Sequence, residues 1–576
     1  MEEIMAQKVV VIGGVALGPK AACRCLRLAP DTELTLVDEN TFISYGGCGL
    51  PYYVSGEIQA LDALRSTNYQ VVRDPEFFAR MKGFKVLNQT RAIAIDRAKK
   101  TVQIRNLVTQ TEEYLPYDKL VLATGARPRV PNVEGHDLGN VFTLTKLEDA
   151  QSIRQACENG SVTEAVIVGG GFIGLESAVA LADMWGVKVT VLEMDDYLMR
   201  NVLPESLGLM AENDLVQHNV TVCKQEKLLK IEGKNGKVNR VVTNKQTLAA
   251  QLVILAAGFI PNGQLAAQAG LETIGNGAIK VDAFMRTSDP DIYAGGDCCA
   301  TQNIITGKYG YLPLGSLSNR QGRIIGTNLA GGSDTFPGYV GTWAIKLFDL
   351  SIASTGMTIN RARMEGFDAI SVCAEQLDRA HFYPEKDMMC LEIVVEKGTR
   401  RVLGMQGASV NAHGLKARID AVAACLQYAK PTVNDISNLE VGYAPPFASA
   451  MDIVNVAGNV ADNVLSGRFT PISGQEFVKL WKERANNHIF FIDARPARAG
   501  KAMEEKNPDW HAIPLEEIEK HLDELPRDRQ IAIICNTGLR SYETLLIMQR
   551  KGGLNNVLNS LGGMQALKQM GLDRDL

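Results

Sequence analysis

Short apolar runs recur along this chain and alternate with segments of helical periodicity. Two of the runs, Val9–Ile12 and Val166–Val168, each lead into a glycine-rich turn and the start of a helix. Each is followed by a second apolar run that ends in an acid, Leu34–Asp38 and Val189–Glu193. A buried strand, a tight turn, a helix and a second strand form the repeating unit of a parallel sheet. The pattern therefore predicts two copies of an α/β dinucleotide-binding domain.

The glycines of both turns are spaced as a bound pyrophosphate requires. In the second copy, Gly169, Gly171 and Gly174 bring backbone N–H groups to a phosphate at a helix N-terminus. Glu193 lies at the spacing of an acid that accepts hydrogen bonds from a ribose. The first copy is weaker because Val15 takes the place of the middle glycine. Its predicted cofactor-binding residues are Gly13, Gly14, Gly18 and Asp38. Glycine turns of an unrelated α/β sheet are the alternative.

The remaining chain changes character twice. Residues 330–455 read as mixed strands and helices, with consecutive strands at 390–395 and 403–407. Residues 457–473 are rich in Gly, Asn, Ser and Pro, which predicts a linker. The last hundred residues, 474–576, alternate helix and strand again as a small α/β unit. A chain of 576 residues exceeds one hydrophobic core, so three or four domains are expected.

Composition narrows the functional classes. A net charge of −5 without a Lys/Arg block gives no basic surface for nucleic acid or an anionic membrane. The first residues do not resemble a signal peptide, and no apolar run approaches the ~18 residues of a membrane span. Eleven scattered cysteines favour reduced thiols. Because no Cys/His cluster has metal-ligand spacing, no metal is expected. The expectation is a soluble cytoplasmic enzyme.

Two cysteines stand in settings that favour a reactive thiolate. Cys48 lies in a glycine-flanked turn after the second strand, and no second cysteine follows within twenty residues. Cys535 ends an apolar strand and opens a loop of sequence Cys-Asn-Thr-Gly-Leu-Arg-Ser before a helix. Backbone N–H groups in such a loop form a cradle for an anion. Cys157, Cys223 and Cys425 lie in apolar runs and are interpreted as core.

From about residue 8 to 455 the chain resembles the flavoprotein disulfide reductases with two dinucleotide domains. The resemblance implies a split FAD domain over 1–145 and 285–330, an NAD domain over 146–284 and a dimerisation domain over 331–456. In that family Asp297 would reach the ribityl or phosphate region of FAD, and Thr124 and Gly125 also belong to the FAD site. Acids after Glu193 and no facing basic residue favour NADH over NADPH, although Arg200 could fold back.

The segment Ser44-Tyr45-x-x-Cys48-Gly49-x-Pro51-Tyr52 is similar to the coenzyme A disulfide reductase branch, which includes NADH oxidases and persulfide reductases. Because no second cysteine lies nearby, the redox cycle of Cys48 is expected to use either a mixed disulfide with a substrate thiol or an oxidised form of Cys48 itself. The resemblance implies coenzyme A contacts at Lys20, Arg24, Arg27, Ser44, Asn319 and Arg323, for which an exposed helix face is the alternative. Tyr443 would reach the active site of a partner subunit in a homodimer, with Tyr383 as a possible second tyrosine.

Some positions depart from that branch. The first glycine loop lacks the histidine of its peroxidases and oxidases, which favours disulfide or persulfide reduction. Leu17 replaces a usual glycine and Tyr45 a usual phenylalanine. Met451 stands where relatives commonly have a lysine, which removes one expected phosphate contact.

The loop from Cys535 to Ser541 resembles the active loop of rhodanese, with Arg540 closing it, and residues 491–495 resemble an early strand of that domain. Together these features predict an α/β protein: two Rossmann-like domains, an α+β dimerisation domain and a C-terminal α/β rhodanese domain. The predicted activity is NADH-dependent reduction of persulfide or polysulfide sulfur, with Cys535 delivering sulfane sulfur. Coenzyme A disulfide reductase and NADH oxidase are the enzymatic alternatives, and a sulfur-carrier or redox-sensing module is another.

Overall fold

A computed structural model describes residues 6–576 of the chain. The chain divides into two compact units. The first holds the residues up to Met194 together with Gln225–Tyr339, and the second holds Asp195–Lys224 and Val340–Leu576.

The first unit contains two parallel sheets built from the predicted apolar runs. The first sheet has the order Ile292–Ala294, Lys119–Leu122, Lys8–Ile12, Glu33–Val37 and Lys85–Leu87. The second includes, in order, Lys188–Leu192, Glu164–Val168, Leu252–Leu255 and Val141–Phe142. Central strands are apolar along their length because helices cover both faces of such sheets. Two doubly wound domains are therefore confirmed.

Smaller elements complete the first unit. Its helices are Leu17–Leu28, Leu50–Val54, Pro75–Lys82, Leu147–Glu158, Phe172–Trp185, Gln264–Gln268 and Gly315–Leu329. Short 3-10 turns are Gly47–Gly49, Leu61–Arg65 and Gly296–Cys298. Its other strands are Thr90–Asp96, Thr101–Asn106, Glu112–Pro116, Ala126–Pro128, Leu228–Lys234, Lys237–Thr243, Thr247–Ala249, Phe259–Pro261, Ile279–Lys280, Cys299–Gln302 and Tyr309–Gly310.

The second unit begins with the helix Glu205–Gln217 and the short strand Thr221–Cys223. It continues into an antiparallel sheet of order Trp343–Lys346, Ser351–Gly356, Val402–Ser409, Met388–Glu396 and Ala369–Leu377. The helices of this part are Ile359–Met364, Ala412–Tyr428, Val433–Ser437 and Ile453–Leu465.

The C-terminal part is a parallel five-stranded sheet. Its order is Thr470–Ile472, Val557–Ser560, Ile531–Ile534, Phe490–Asp493 and Trp510–Ala512. Its helices are Gly474–Lys482, Arg484–Asn487, Ala497–Glu504, Leu539–Gly552 and Gly563–Gln569, and its 3-10 turns are Ile518–His521 and Asp573–Asp575.

The irregular linker predicted over 457–473 is wrong in its first half. Residues up to Leu465 continue a helix that starts at Ile453, and only a short stretch separates it from the strand Thr470–Ile472. The helix buries Ile453, Ala457 and Ala461, a spacing of four that places them on one face. Interspersed Asn and Gly residues hid this periodicity in the sequence.

Candidate active sites

The first glycine turn lies where three parallel strands end. Gly13 has φ +114°, and a Cβ there would lie 2.0 Å from the carbonyl oxygen of Ala123. A Cβ on Gly18 would lie 1.9 Å from the carbonyl oxygen of Gly13. Only glycine allows this backbone approach at the start of the helix. The turn therefore offers the bare backbone and helix N-terminus that a pyrophosphate such as that of FAD requires.

Asp38 is fixed beside this turn. Its carboxylate accepts hydrogen bonds from the backbone N–H of Gly14 at 2.6 Å and from the backbone and side-chain amide of Asn40. Burial raises the pKa of Asp38, and the hydrogen bonds from Asn40 and Gly14 oppose that rise. The acid is thus positioned at the place where the dinucleotide fold holds a ribose hydroxyl.

Thr124, Gly125 and Asp297 lie at the same edge of the first sheet. The Thr124 hydroxyl donates to the Asn262 carbonyl oxygen at 2.6 Å, and the Asn262 side-chain amide returns a hydrogen bond. Asp297 follows the end of the strand Ile292–Ala294 and accepts a long hydrogen bond from the Ser318 hydroxyl. Burial raises its pKa. The residues predicted to hold FAD thus follow the strands of one parallel sheet or belong to its glycine turn.

The second glycine turn repeats this geometry. A Cβ on Gly169, which has φ +115°, would lie 2.4 Å from the Ala256 carbonyl oxygen, and one on Gly174 would lie 1.9 Å from the Gly169 carbonyl oxygen. Gly171 differs because an added Cβ meets no atom within 4 Å. The Gly170 N–H donates to the Glu193 carboxylate at 2.9 Å. The open space over Gly171 fits an approaching pyrophosphate.

Cys48 is a free, exposed cysteine in the turn Gly47–Gly49. A Cβ built on Gly315 would lie 3.8 Å from its Sγ, so the thiol faces the first turn of the helix Gly315–Leu329. That helix end favours a thiolate. Although its side chain is accessible, the surrounding protein reduces the hydration of Cys48 and raises its pKa, and the negative charges of Glu176 and Asp297 raise it further. The helix N-terminus therefore lowers the pKa of the Cys48 thiol, and the two acids raise it.

Glu176 is a site residue that the sequence analysis missed. It lies on the helix Phe172–Trp185, which follows the second glycine turn, and burial raises its pKa to about 7. Its charge acts on both Cys48 and Tyr52. Its position two residues beyond Gly174 gave no signal, since a glutamate on a helix is usually a solvated surface residue.

The residues predicted to contact coenzyme A are carried largely by two packed helices. Helix Leu17–Leu28 and helix Gly315–Leu329 touch where Gly322 faces the Lys20 side chain and Gly326 faces Arg24. The Arg24 guanidinium donates to the Thr327 hydroxyl at 3.1 Å.

The other predicted coenzyme A contacts differ in exposure. Arg27, Asn319 and Arg323 are exposed, which agrees with a surface for an anion. Ser44 is buried at a left-handed φ of 51°, and its N–H donates to the Gly14 carbonyl oxygen. Ser44 is therefore part of the turn rather than of the exposed surface.

Tyr443 lies in the second unit and is 51 % exposed. Phe447 and Met451 are also exposed there, and the Gln376 side chain donates to the Met451 carbonyl oxygen. Tyr383 is half-buried beneath the Arg379 guanidinium, 5.9 Å from its ring centre. Exposed aromatic side chains of this kind are typical of a surface that a partner covers.

The loop that opens at Cys535 surrounds its sulfur with donors. The Gly538 N–H lies 3.1 Å and the Ser541 hydroxyl 3.3 Å from Sγ. Gly538 has φ +99° and starts the helix Leu539–Gly552, which carries Arg540 in its first turn. Cys535 is only 1 % exposed. The loop thus has the expected cradle geometry, with the sulfur at its base.

A charged pair supports the strand next to that loop. Asp493 is fully buried and accepts hydrogen bonds from the Arg495 guanidinium and from the Trp510 indole N–H at 3.0 Å. A buried carboxylate with this many donors is satisfied and holds the strand end in place. Its strand, Phe490–Asp493, pairs directly with Ile531–Ile534, the strand that immediately precedes Cys535.

Comparison with known proteins agrees with this architecture. Residues 7–319 match the pyridine nucleotide-disulphide oxidoreductase family, and residues 343–454 match its dimerisation domain. Residues 476–570 match the rhodanese-like domain. The predicted fold class and the predicted family resemblance are therefore confirmed. The predicted FAD and pyridine nucleotide are the cofactors of this family.

Three relatives share most of this chain's length. The NAD(P)H coenzyme A polysulfide/persulfide reductase of Pyrococcus horikoshii is 36 % identical over 80 % of this chain and 99 % of its own. The structure of an NAD-dependent persulfide reductase from A. fulgidus has 40 % identity and a TM-score of 0.91, covering 97 % of this chain and 100 % of that one.

The third relative is the reduced CoADR-RHD of Bacillus anthracis. Its structure has 28 % identity and a TM-score of 0.88, covering 98 % of both chains.

None of the helices in residues 6–576 is long and apolar enough to cross a membrane. Two glycine turns at parallel strand ends and a match over more than half its length show that this chain belongs to the pyridine nucleotide-disulphide oxidoreductase family.

Proposed function

We propose that this protein is an NADH-dependent flavoprotein that reduces persulfide or polysulfide sulfur to hydrosulfide through Cys48. The observation that carries the proposal is the setting of Cys48: a free thiol at a helix end, with no cysteine partner in its turn. A thiol without a second thiol in its turn is suited to form a mixed disulfide with sulfur brought to it by a substrate. Similarity to persulfide reductases over nearly the whole chain supports this substrate class.

The proposed chemistry starts with the Cys48 thiolate. It attacks the carrier sulfur of a persulfide, the S–S bond breaks, and hydrosulfide leaves with the bonding electron pair. Cys48 then holds the carrier as a mixed disulfide. When FAD is bound it supplies the two electrons from NADH that return this disulfide to two thiols. The helix N-terminus at Gly315 stabilises the thiolate each time it forms.

The cofactor sites are proposed residue by residue. Gly13, Gly14, Gly18, Asp38, Thr124, Gly125 and Asp297 would hold FAD, and Gly169, Gly171, Gly174 and Glu193 would hold NADH. Arg200, the basic residue that could fold back toward a 2′-phosphate, is paired with Asp196 and lies over the Tyr197 ring. Such pairing keeps its charge from a 2′-phosphate, which supports the preference for NADH.

Coenzyme A is the proposed carrier of the sulfur. The exposed basic residues on helices Leu17–Leu28 and Gly315–Leu329 form a surface that its phosphates require, and the second helix also begins beside Cys48. A substrate held along this helix would present its thiol end toward Cys48. The similarity to the coenzyme A polysulfide/persulfide reductase of Pyrococcus horikoshii supports the same assignment.

Cys535 is proposed to accept sulfane sulfur and deliver it, either to coenzyme A or toward Cys48. The N–H of Gly538 and the Ser541 hydroxyl would stabilise the anionic terminal sulfur of a Cys535 persulfide, with Arg540 next to them. The dimerisation domain supports a homodimer in which Tyr443 would contribute to the active site of the partner subunit.

The experiment that tests the proposal is anaerobic NADH oxidation with coenzyme A persulfide, with hydrosulfide measured in the same sample. Cys48→Ser is expected to lose at least ~100-fold of the rate, since a serine cannot form the mixed disulfide. Cys535→Ser should lose less of the rate with coenzyme A persulfide and more of the rate with polysulfide. Cys425→Ser, a partly buried thiol of the dimerisation domain, is the control. Full turnover by Cys48→Ser would contradict the proposal.

Coenzyme A disulfide reductase is the second candidate, favoured by the same basic helix pair. It requires the same attack by Cys48 but releases a thiol instead of hydrosulfide. A higher kcat/KM for coenzyme A disulfide than for its persulfide would assign the activity to this reaction. Oxygen consumption without a response to either sulfur substrate would indicate an NADH oxidase, and no turnover with any small acceptor would indicate a sulfur-carrier module.

A further inference from the structure

A buried cluster of two thiols and a carboxylate lies on the antiparallel sheet of the second unit. Strands Ala369–Leu377 and Met388–Glu396 pair with Glu375 opposite Cys390. Because side chains alternate along a strand, Cys373 shares their face. The two Sγ atoms are 3.4 Å apart, and one ligand atom from each of the three residues lies within 4.8 Å of the others.

Glu375 lacks the partners that a buried carboxylate needs. It is 6 % exposed, and no N–H or O–H group of residues 6–576 donates to either oxygen. Burial raises its pKa well above the usual value, and only the Cys390 thiol opposes that rise. Glu392 on the same face is different, because it accepts hydrogen bonds from Ser206 and Ser371. A buried carboxyl group that no N–H or O–H group satisfies calls for an explanation, and an ion that is not seen is one of them.

We propose that Cys373, Cys390 and Glu375 bind one thiophilic divalent metal ion, with Zn²⁺ as the best chemical match. Two thiolates and a carboxylate suit zinc, whose bonds of ~2.3 Å to sulfur place two thiolates ~3.8 Å apart in a tetrahedron. The observed separation of 3.4 Å reaches this with a shift of a few tenths of an ångström. The ion would neutralise most of the charge of the three ligands. The fourth position is left to a small exogenous ligand.

Gly562 covers the cluster. A Cβ there would lie 3.3 Å from both the Cys373 Sγ and the Glu375 Cγ, so a larger residue would fill the space above the ligands. No metal was expected from the sequence, because no Cys/His cluster has metal-ligand spacing, and Cys373 and Cys390 are seventeen residues apart. Strand pairing, not local spacing, assembles the ligands.

The same backbone segment contacts the sulfur loop. A Cβ on Gly563 would lie 2.4 Å from the Cys535 carbonyl oxygen, and the Met564 N–H donates to that oxygen at 2.8 Å. The Gln565 N–H donates to the Asn536 carbonyl oxygen. A metal ion below Gly562 would therefore support the segment that holds the base of the Cys535 loop.

The test is metal binding to the full-length flavoprotein. Purified enzyme is reduced, incubated anaerobically with Zn²⁺ or Co²⁺ and desalted, and metal is measured by mass spectrometry alongside FAD content. We expect about one equivalent per chain and, for Co²⁺, a thiolate-to-metal charge-transfer band. Cys373→Ser and Cys390→Ser should lower affinity more than ~100-fold, since loss of a ligand exceeds the 10–100-fold effect of outer contacts.

The control is Cys425→Ser, which should bind metal like the wild type with the same FAD content. Glu375→Gln keeps the shape of glutamate and should weaken metal binding less than the loss of a thiolate does. This variant tests the proposal if a serine variant does not fold. The proposal would be overturned if the reduced wild type bound less than ~0.1 equivalent of metal per chain at metal concentrations that fill ordinary thiolate sites. So would equal metal content in wild type and folded Cys373→Ser, or a Cys373–Cys390 disulfide in anaerobically purified enzyme.

Discussion

Glu176 should control the reactivity of Cys48 as the pH changes. With a pKa of about 7, this carboxyl is ~10 % ionised at pH 6 and ~90 % ionised at pH 8. Its negative charge raises the pKa of Cys48. The thiolate should therefore be harder to form at pH 8 than it would be beside a neutral group. Glu176→Gln removes that charge at every pH while keeping the shape of the side chain.

The size of the effect follows from the charge interaction. An interaction of about 1 kcal/mol, reasonable for a partly solvated pair, shifts the Cys48 pKa by ~0.7 units. Alkylation rate below the pKa follows the thiolate fraction. Glu176→Gln should thus label at the wild-type rate near pH 6 and ~3- to 5-fold faster at pH 8, so that the ratio of rates itself titrates with a midpoint near 7.

The assay is iodoacetamide labelling of pre-reduced, FAD-bound enzyme without NADH, with the Cys48 peptide quantified by mass spectrometry. Glu113→Gln changes an exposed carboxylate that does not act on Cys48, and it is the matched control. A ratio that stays at one from pH 6 to pH 8, or a slower Glu176→Gln, would refute the reasoning.

Two further predictions separate the parts of the protein. Gly171→Ala should fold and keep FAD but raise the KM for NADH ~10-fold or more, because its Cβ enters the open space proposed for the pyrophosphate. In Gly169→Ala the new Cβ would lie 2.4 Å from the Ala256 carbonyl oxygen, so this variant should give less soluble protein. Steady-state kinetics and expression yield distinguish them, and equal behaviour would contradict the assignment. Ser541→Ala removes the hydroxyl that donates to the Cys535 sulfur. The loss of one hydrogen bond to an anionic sulfur, ~1.5 kcal/mol, should lower the sulfurtransferase rate ~10-fold. NADH-driven reduction of coenzyme A disulfide should be unchanged. A loss in both assays would show that the serine acts on folding instead.

The sequence alone determined the elements and the local turns. Two strand–glycine–helix units and the Cys535 loop are local patterns, since the glycines are required by backbone contacts within a few residues or with the neighbouring strand. Gly18, for example, approaches Gly13 only five residues away. The same locality explains the error in the linker, where three Asn residues and one Gly in the helix Ile453–Leu465 resemble the composition of a loop.

The tertiary structure decided which distant side chains share an environment. Glu176 looks like a surface residue in the sequence, and it becomes a titrating neighbour of Cys48 because its helix packs against the helix Leu50–Val54, which follows the Cys48 turn. Cys373 and Cys390 meet because the register of two antiparallel strands places Cys390 opposite Glu375, diagonally across from Cys373 on the same face. Electrostatics and metal binding depend on distances of a few ångströms between residues far apart in the chain, and packing and register set those distances.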